Sequence, residues 1–126
     1  MLNLYQEIIM DHYHNPRHHG LLKIYDFKSE QRNSSCGDEI IITGQIKNNI
    51  VITVGFEGKG CVISQAAASL LTEFIKDKSI DTILSLDQNA ILAMLTIPLG
   101  PVRLMCALLP LAALQKGIKE YQTHTT

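Results

Sequence analysis

The sequence predicts an α+β protein, and three features of its patterning carry that expectation. Apolar residues recur at helical intervals over residues 4–14. Two runs rich in β-branched residues, 39–47 and 50–56, meet at the pair Asn48-Asn49. Asparagine tolerates positive φ, so a two-residue hairpin turn is the natural junction. From residue 64 onward, apolar stretches of helical length are separated by capping and turn residues.

In order, Asn3-Leu4-Tyr5-Gln6 has the spacing of a capping box, and Leu4 with Ile8 and Tyr5 with Ile9 follow four apart. Asn15-Pro16 stops this helix near His14, because the residue before proline resists the α region, and Gly20 closes the turn. A polar stretch over 25–32 is a possible first strand. Asn33-Ser34-Ser35-Cys36-Gly37-Asp38 is rich in turn residues and leads into the second strand, 39–47. A two-residue loop pairs Lys47 with Ile50, so facing residues carry numbers that add to 97. Glu57 then faces Ile40, Lys59 faces Asp38, and Cys61 faces Cys36. On this register the two cysteines are cross-strand neighbours with Cβ atoms about 5 Å apart. Asp38, two positions from Cys36, lies on the same face.

Ser64 is expected to cap a helix that reaches residue 76, which leaves Cys61 close to a helix N-terminus. Shorter helices over 79–84 and 87–95 each open at a capping side chain. Pro98-Leu99-Gly100-Pro101 is a rigid turn, and Pro101 suits the first position of a last helix running to about Tyr121. Neither repeats nor low-complexity segments nor linkers interrupt the chain, so residues 1–126 are expected to form a single domain.

Composition excludes several function classes. The chain has 126 residues, enough for one core, and is 46% apolar and 18% charged, as globular proteins are. Its net charge is −1 with no basic block, which argues against nucleic acid or an anionic membrane as partner. Residues 1–10 lack the charged and apolar regions of a signal peptide. The longest apolar stretch, 105–114, is too short to span a bilayer and contains Pro110. Three cysteines without an export signal suggest reduced thiols and a cytoplasmic setting.

Those cysteines carry the chemistry. Cys61 sits in Gly58-Lys59-Gly60-Cys61-Val62-Ile63-Ser64, where the glycines keep bulk from the sulfur and the helix start favours a thiolate. Cys106 falls in the second turn of the last helix with Arg103 three residues before it, so the two can share a face and the guanidinium favours the thiolate. Pro110 has no amide proton for the Cys106 carbonyl four residues back, so the backbone there is expected to be kinked or loosened. Singly, each cysteine would be read as a small buried hydrophobe. Together with Asp38 they offer three thiolates and a carboxylate, enough for tetrahedral zinc or for an iron–sulfur cluster. Carboxylate oxygen is harder than thiolate and holds soft centres less firmly, which suits a site that must open. His12, His14, His18 and His19 crowd the end of the first helix. No cysteine or carboxylate is interleaved with them at ligand spacing, so they are read as exposed or capping residues outside the metal set.

These motifs resemble the scaffold family of iron–sulfur cluster assembly, the U-type proteins of the Isc, Nif and Suf systems (IscU and NifU N-terminal-like). Asp11-His12-Tyr13-His14-Asn15-Pro16-Arg17 is similar to the family's N-terminal signature, Cys36-Gly37-Asp38 to its first ligand motif, and Gly58 to Ser64 to its second. Leu99 to Leu109, which includes Arg103 and Cys106, is similar to the third. The wording Ile9-Met10-Asp11-His12-Tyr13 and Cys106-Ala107-Leu108-Leu109-Pro110 looks most like the SufU-type branch. Met105 stands where Isc-type scaffolds carry a histidine. Leu99-Gly100-Pro101-Val102-Arg103 departs from the chaperone motif, which does not support an Hsp70-type chaperone as partner. The insertion of Gram-positive Suf-type proteins does not fit between Cys61 and Cys106.

The resemblance implies a compact α+β fold, a small antiparallel sheet covered on one face by helices. It implies a cysteine desulfurase of the SufS or IscS type as partner, delivering persulfide sulfur. Cys36, Asp38, Cys61 and Cys106 would hold zinc, with Cys36 as sulfur acceptor and Arg103 supporting the site's negative charge. As a scaffold, the same residues would assemble a transient [2Fe–2S] cluster for apo iron–sulfur proteins. The alternatives are a zinc-dependent sulfur relay that never holds a cluster and a structural zinc-binding interaction domain. The resemblance leaves the enzyme question open: a scaffold or sulfur acceptor rather than a stand-alone enzyme, with sulfurtransferase activity beside a desulfurase as the alternative.

Overall fold

A computed structural model of the protein describes residues 4–34 and 37–125. The elements in chain order are α1 (Leu4–His14), β1 (Phe27–Asn33), β2 (Asp38–Lys47), β3 (Ile50–Lys59), α2 (Val62–Ile75), α3 (Ile80–Leu84), α4 (Gln88–Leu95) and α5 (Pro101–Thr125). The three strands form one antiparallel sheet in the order β1-β2-β3. Helices α5 and α2 cover one face of it, which is the α+β arrangement the sequence predicts. The α1 cap proposed at Asn3 lies outside the described residues, whereas Ser79 and Asp87 do cap α3 and α4.

The β2–β3 hairpin turns at Asn48 and Asn49, with φ of 54° and 61°, as a two-residue turn of that kind requires. Its register differs from the one the turn alone predicts. Lys47 faces Ile50 and Ile46 faces Val51, but a bulge then makes Gln45 face Thr53, and the offset persists. Glu57 faces Ile41, Gly58 faces Ile40, and Lys59 faces Glu39 rather than Asp38. The cause is the core. A one-residue slip exchanges the faces of a strand, and the unbulged register would set Glu57 beside the fully buried Ile40. With the extra residue, Val54 and Phe56 point inward against Ile40 and Ile42, and Glu57 stays exposed. The ladder ends at Lys59, and a Cys36–Cys61 pairing lies outside the described residues.

The core lies between the sheet and the helices. Ile40, Ile42, Val51, Val54 and Phe56 meet Ala66, Ala67, Ala68, Leu71 and Ile75 of α2 and Ala107, Ala113, Leu114 and Ile118 of α5. Small residues let α2 approach closely. Segment 18–24 crosses the other side of the sheet. His18 and Gly20 exchange backbone bonds with Phe56, and the Leu22 amide donates to Thr43 Oγ1 at 3.0 Å. Helix α1 rests on α2.

Helix α5 extends four residues beyond the expected end and continues unbroken through Pro110. No break marks the backbone at Cys106: Leu109, Pro110 and Leu111 are buried, and their packing holds the helix across the missing amide bond. By length and composition α5 could cross a membrane, but half of its apolar window is buried inside the fold, against β1, β2 and α2. It is the central core helix.

Candidate metal centre

Three elements bring one donor each to a single point. Asp38 opens β2 and is 1% exposed. Cys61 follows β3 across Gly60 and stands at the start of α2. Cys106 comes from the second turn of α5 and is 3% exposed. Their ligand atoms all lie within 4.8 Å of one another. Among the described residues this is the one group of three or more metal-binding side chains. Two sulfurs on a tetrahedral zinc, each about 2.3 Å from it, would be about 3.8 Å apart, so closing on the metal takes a movement of at most about 1 Å. Thiolates with a carboxylate fit zinc or an iron–sulfur cluster. Cys36, the fourth expected donor, lies outside the described residues, two positions before Asp38.

Local geometry explains how Cys61 is held. The cap of α2 is Cys61 itself, not Ser64: its backbone is extended, and its sulfur accepts the Ser64 amide at 3.5 Å. Ser64 instead occupies the third helical position, fully buried, and its hydroxyl donates back to the Cys61 carbonyl at 3.2 Å. The sulfur therefore faces the unpaired amides of a helix N-terminus, as expected for a metal-binding thiol. On the other side, the Cys61 amide donates to Asp38 Oδ1 at 2.9 Å and its sulfur lies 3.3 Å from Oδ2. Asp38 thus braces the cysteine with one oxygen and presents the other toward its sulfur. Gly60 makes this approach possible. Its φ is +129°, and a Cβ there would come within 2.0 Å of Asp38 Oδ1.

An open, mainly apolar cleft of about 400 Å³ reaches the site, lined by Cys61, Val62, Ile63, Val102, Arg103 and Cys106. Arg103 shares a face with Cys106, as its spacing predicts, and stays exposed at the lip. Met105 is 56% exposed.

The histidines contribute no donor to this cluster. His14 and His19 are exposed as expected, but His12 is 5% exposed. Its Nδ1 lies 2.7 Å from Ser69 Oγ, which also accepts the Arg17 amide at 2.8 Å. Burial, aided by the Arg17 charge, pushes the His12 pKa below its usual value. Beside it, the Arg17 and Asn15 side chains both donate to Asp11 and hold its carboxyl below the usual range. The Asp11-to-Arg17 motif thus locks the α1 terminus onto α2. Sequence reading missed the His12 role because its partner is 57 positions away.

Comparison with known proteins agrees with the geometry. The profile of the NifU-like N terminal domain matches residues 4–126. The zinc-dependent sulfurtransferase SufU of Bacillus subtilis is 38% identical over 91% of this chain and 89% of its own. The iron–sulfur cluster assembly protein IscU of Plasmodium falciparum is 32% identical over 94% of this chain and 74% of its own. A crystal structure of a candidate SUF-system iron–sulfur cluster assembly scaffold from Fervidobacterium islandicum superposes with a TM-score of 0.76 at 28% identity, covering 89% of this chain and 94% of that one.

Proposed function

The chain belongs to the NifU-like N-terminal domain family, and from that premise we propose that it is an iron–sulfur cluster assembly protein. It accepts persulfide sulfur from a cysteine desulfurase and assembles it into, or passes it on for, [2Fe–2S] clusters destined for apo iron–sulfur proteins. The observation that carries this reading is the meeting of Asp38, Cys61 and Cys106, with both cysteines lining an open cleft. The cleft gives an incoming sulfur donor a path to Cys61 and Cys106.

Cys36, Asp38, Cys61 and Cys106 are the ligand set. Zinc, when bound, keeps the thiols deprotonated and gathered. Asp38 Oδ1 accepts the Cys61 amide while Oδ2 faces the Cys61 sulfur, so Asp38 would offer a metal its second oxygen and could let it go without leaving its place. The Cys36 thiolate attacks the outer sulfur of the desulfurase persulfide. A Cys36 S–S bond forms, the persulfide S–S bond breaks, and the desulfurase cysteine leaves as thiolate with the electron pair. Arg103 at the lip supplies positive charge to the incoming anionic sulfur.

A second reading is a zinc-dependent sulfur relay that never holds a cluster. Exposed Met105 favours it, because it offers no imidazole beside Cys106, as does the likeness to the Bacillus subtilis sulfurtransferase. Metal and acid-labile sulfide content of protein isolated without oxygen, followed by desulfurase turnover in its presence, separates the two. Iron and sulfide in comparable amounts identify a scaffold. One zinc, no sulfide and a Cys36-dependent rise in turnover identify a relay, and zinc with unchanged turnover refutes both.

A further inference from the structure

The outer edge of β3 is covered in two stages. His18 and Gly20 take the backbone amide and carbonyl of Phe56, and there the pairing ends. Two residues on, Gly58 presents its carbonyl past the last backbone partner, in the short link that leads to Cys61. Gln65, in the second turn of α2, reaches back across this gap. Turned so that its oxygen meets a donor and its nitrogen an acceptor, its amide donates to the Gly58 carbonyl and accepts the Lys59 amide, both at 3.3 Å. One side chain thus replaces a strand partner and joins the end of β3 to the first turns of the helix that Cys61 caps.

We infer that Gln65 is a positioning residue for the metal centre. It touches neither Asp38 nor a sulfur in these bonds, and acts through the backbone of residues 58–60. The link between Gly58 and Cys61 contains Gly60 at φ +129°, a conformation that other residues rarely adopt and that glycine leaves as readily as it enters. Asp38 and the Ser64 amide hold the Cys61 end of the link; at the other end Gly58 and Lys59 are held by the β2 ladder on one side and by Gln65 on the other. With both ends fixed, the Cys61 sulfur keeps its distance from Asp38 and Cys106. With Gln65 removed, only the β2 ladder restrains that end, and the added freedom at the Gly60 hinge loosens the placing of the Cys61 sulfur. Outer partners of this kind typically change metal retention 10–100-fold.

This inference rests on the proposed metal-holding role, and its test separates the two. Gln65→Met keeps length and flexibility but removes both bonds, and Gln65→Glu keeps the acceptor for Lys59 while losing the donor to Gly58. In metal-free protein, amide hydrogen exchange at residues 59–61 is expected to rise at least tenfold in Q65M and less in Q65E, with exchange in α5 unchanged. In zinc-loaded protein, transfer of zinc to a chromophoric chelator is expected to be about tenfold faster in Q65M, with Q65E intermediate. Unchanged exchange at Lys59 and Gly60 overturns the inference whether or not the protein takes up zinc. Raised exchange across the whole chain in Q65M, with Q65E no better, makes Gln65 a general stability residue and also overturns it. A wild-type chain that takes up no zinc refutes the parent reading instead, and the exchange experiment still decides the role of Gln65.

Discussion

Replacing Gly60 by alanine adds one methyl group where the β3–α2 link passes over Asp38. Two costs follow from the structure. The backbone at φ +129° lies in a region that residues with a Cβ rarely occupy, which costs about 1–3 kcal/mol. The new Cβ would also stand 2.0 Å from Asp38 Oδ1 and 2.8 Å from Asp38 Cα. Because a backbone atom is among the close contacts, the carboxylate cannot simply turn aside. Its 2.9 Å bond to the Cys61 amide must lengthen, a further loss of about 1.5–3 kcal/mol for a bond to a charged group. Gly60→Ala should therefore lower the stability of metal-free protein by about 3–5 kcal/mol, a large part of the 5–15 kcal/mol typical of a domain. Gly37→Ala is the control, since φ there is +75° but nothing lies within 4 Å of the added carbon. Urea denaturation of both variants isolates the contact term. If G60A and G37A lose the same stability to within about 0.5 kcal/mol, the brace between Asp38 and Cys61 is not what requires glycine at position 60.

Two other substitutions test the frame around the site. His12 has a lowered pKa in the folded state, so on acidification the unfolded chain takes up the proton first, and stability falls as the pH drops below about 6.5 toward the folded value. Arg17 reinforces this shift while Glu73 and Asp11 oppose it. His12→Gln should flatten the dependence, by up to about 1.4 kcal/mol for each pH unit between the two pKa values; equal urea-midpoint losses from pH 7.5 to 5.5 in both proteins would show that His12 is not the group responsible. Gly117→Ala in α5 gains about 1 kcal/mol of helix propensity but drives a Cβ to 2.7 Å from Phe27 Cδ2 and 2.9 Å from Ser29 Cβ. Phe27 cannot retreat because its ring already lies against Gly44, so net destabilisation of about 1–2 kcal/mol is expected. A raised thermal midpoint relative to wild type would contradict that packing.

Much of this architecture is legible in the residues because local rules and the tertiary structure agree. Pro16 and Pro101 bound α1 and α5 as their ring geometry requires, and the Asn48-Asn49 turn forms as its φ values allow. The register was not read correctly, although its signal was present. Ile40 and Ile42 are fully buried, and only a one-residue offset sets Gly58 and Phe56 opposite them instead of Glu57 and Gly55. Turn geometry and hydrophobic alternation imply different registers, and in the fold alternation wins. The cap of α2 is not legible because serine is among the preferred capping residues and cysteine is not, yet here the Cys61 sulfur accepts the Ser64 amide. The brace from Asp38, the Gln65 bridge and the His12–Ser69 contact depend on chain segments meeting in space, which one-dimensional spacing does not encode.

The three donors sit at positions 38, 61 and 106, so the centre exists only after two long loops have closed. A chain that has not yet laid α5 on the sheet has at most two of these donors in reach of one another, and a ribosome-bound chain must expose residue 106 before the triad can assemble. On the proposed role, metal affinity would belong to the finished tertiary structure and not to any segment of it. Metal concentration in turn adds to apparent stability as RT ln(1 + [metal]/Kd), about 2.7 kcal/mol at a hundredfold excess over Kd. Tight loading would then certify that the whole chain has folded, and the thermal midpoint would become a gauge of how much metal surrounds it.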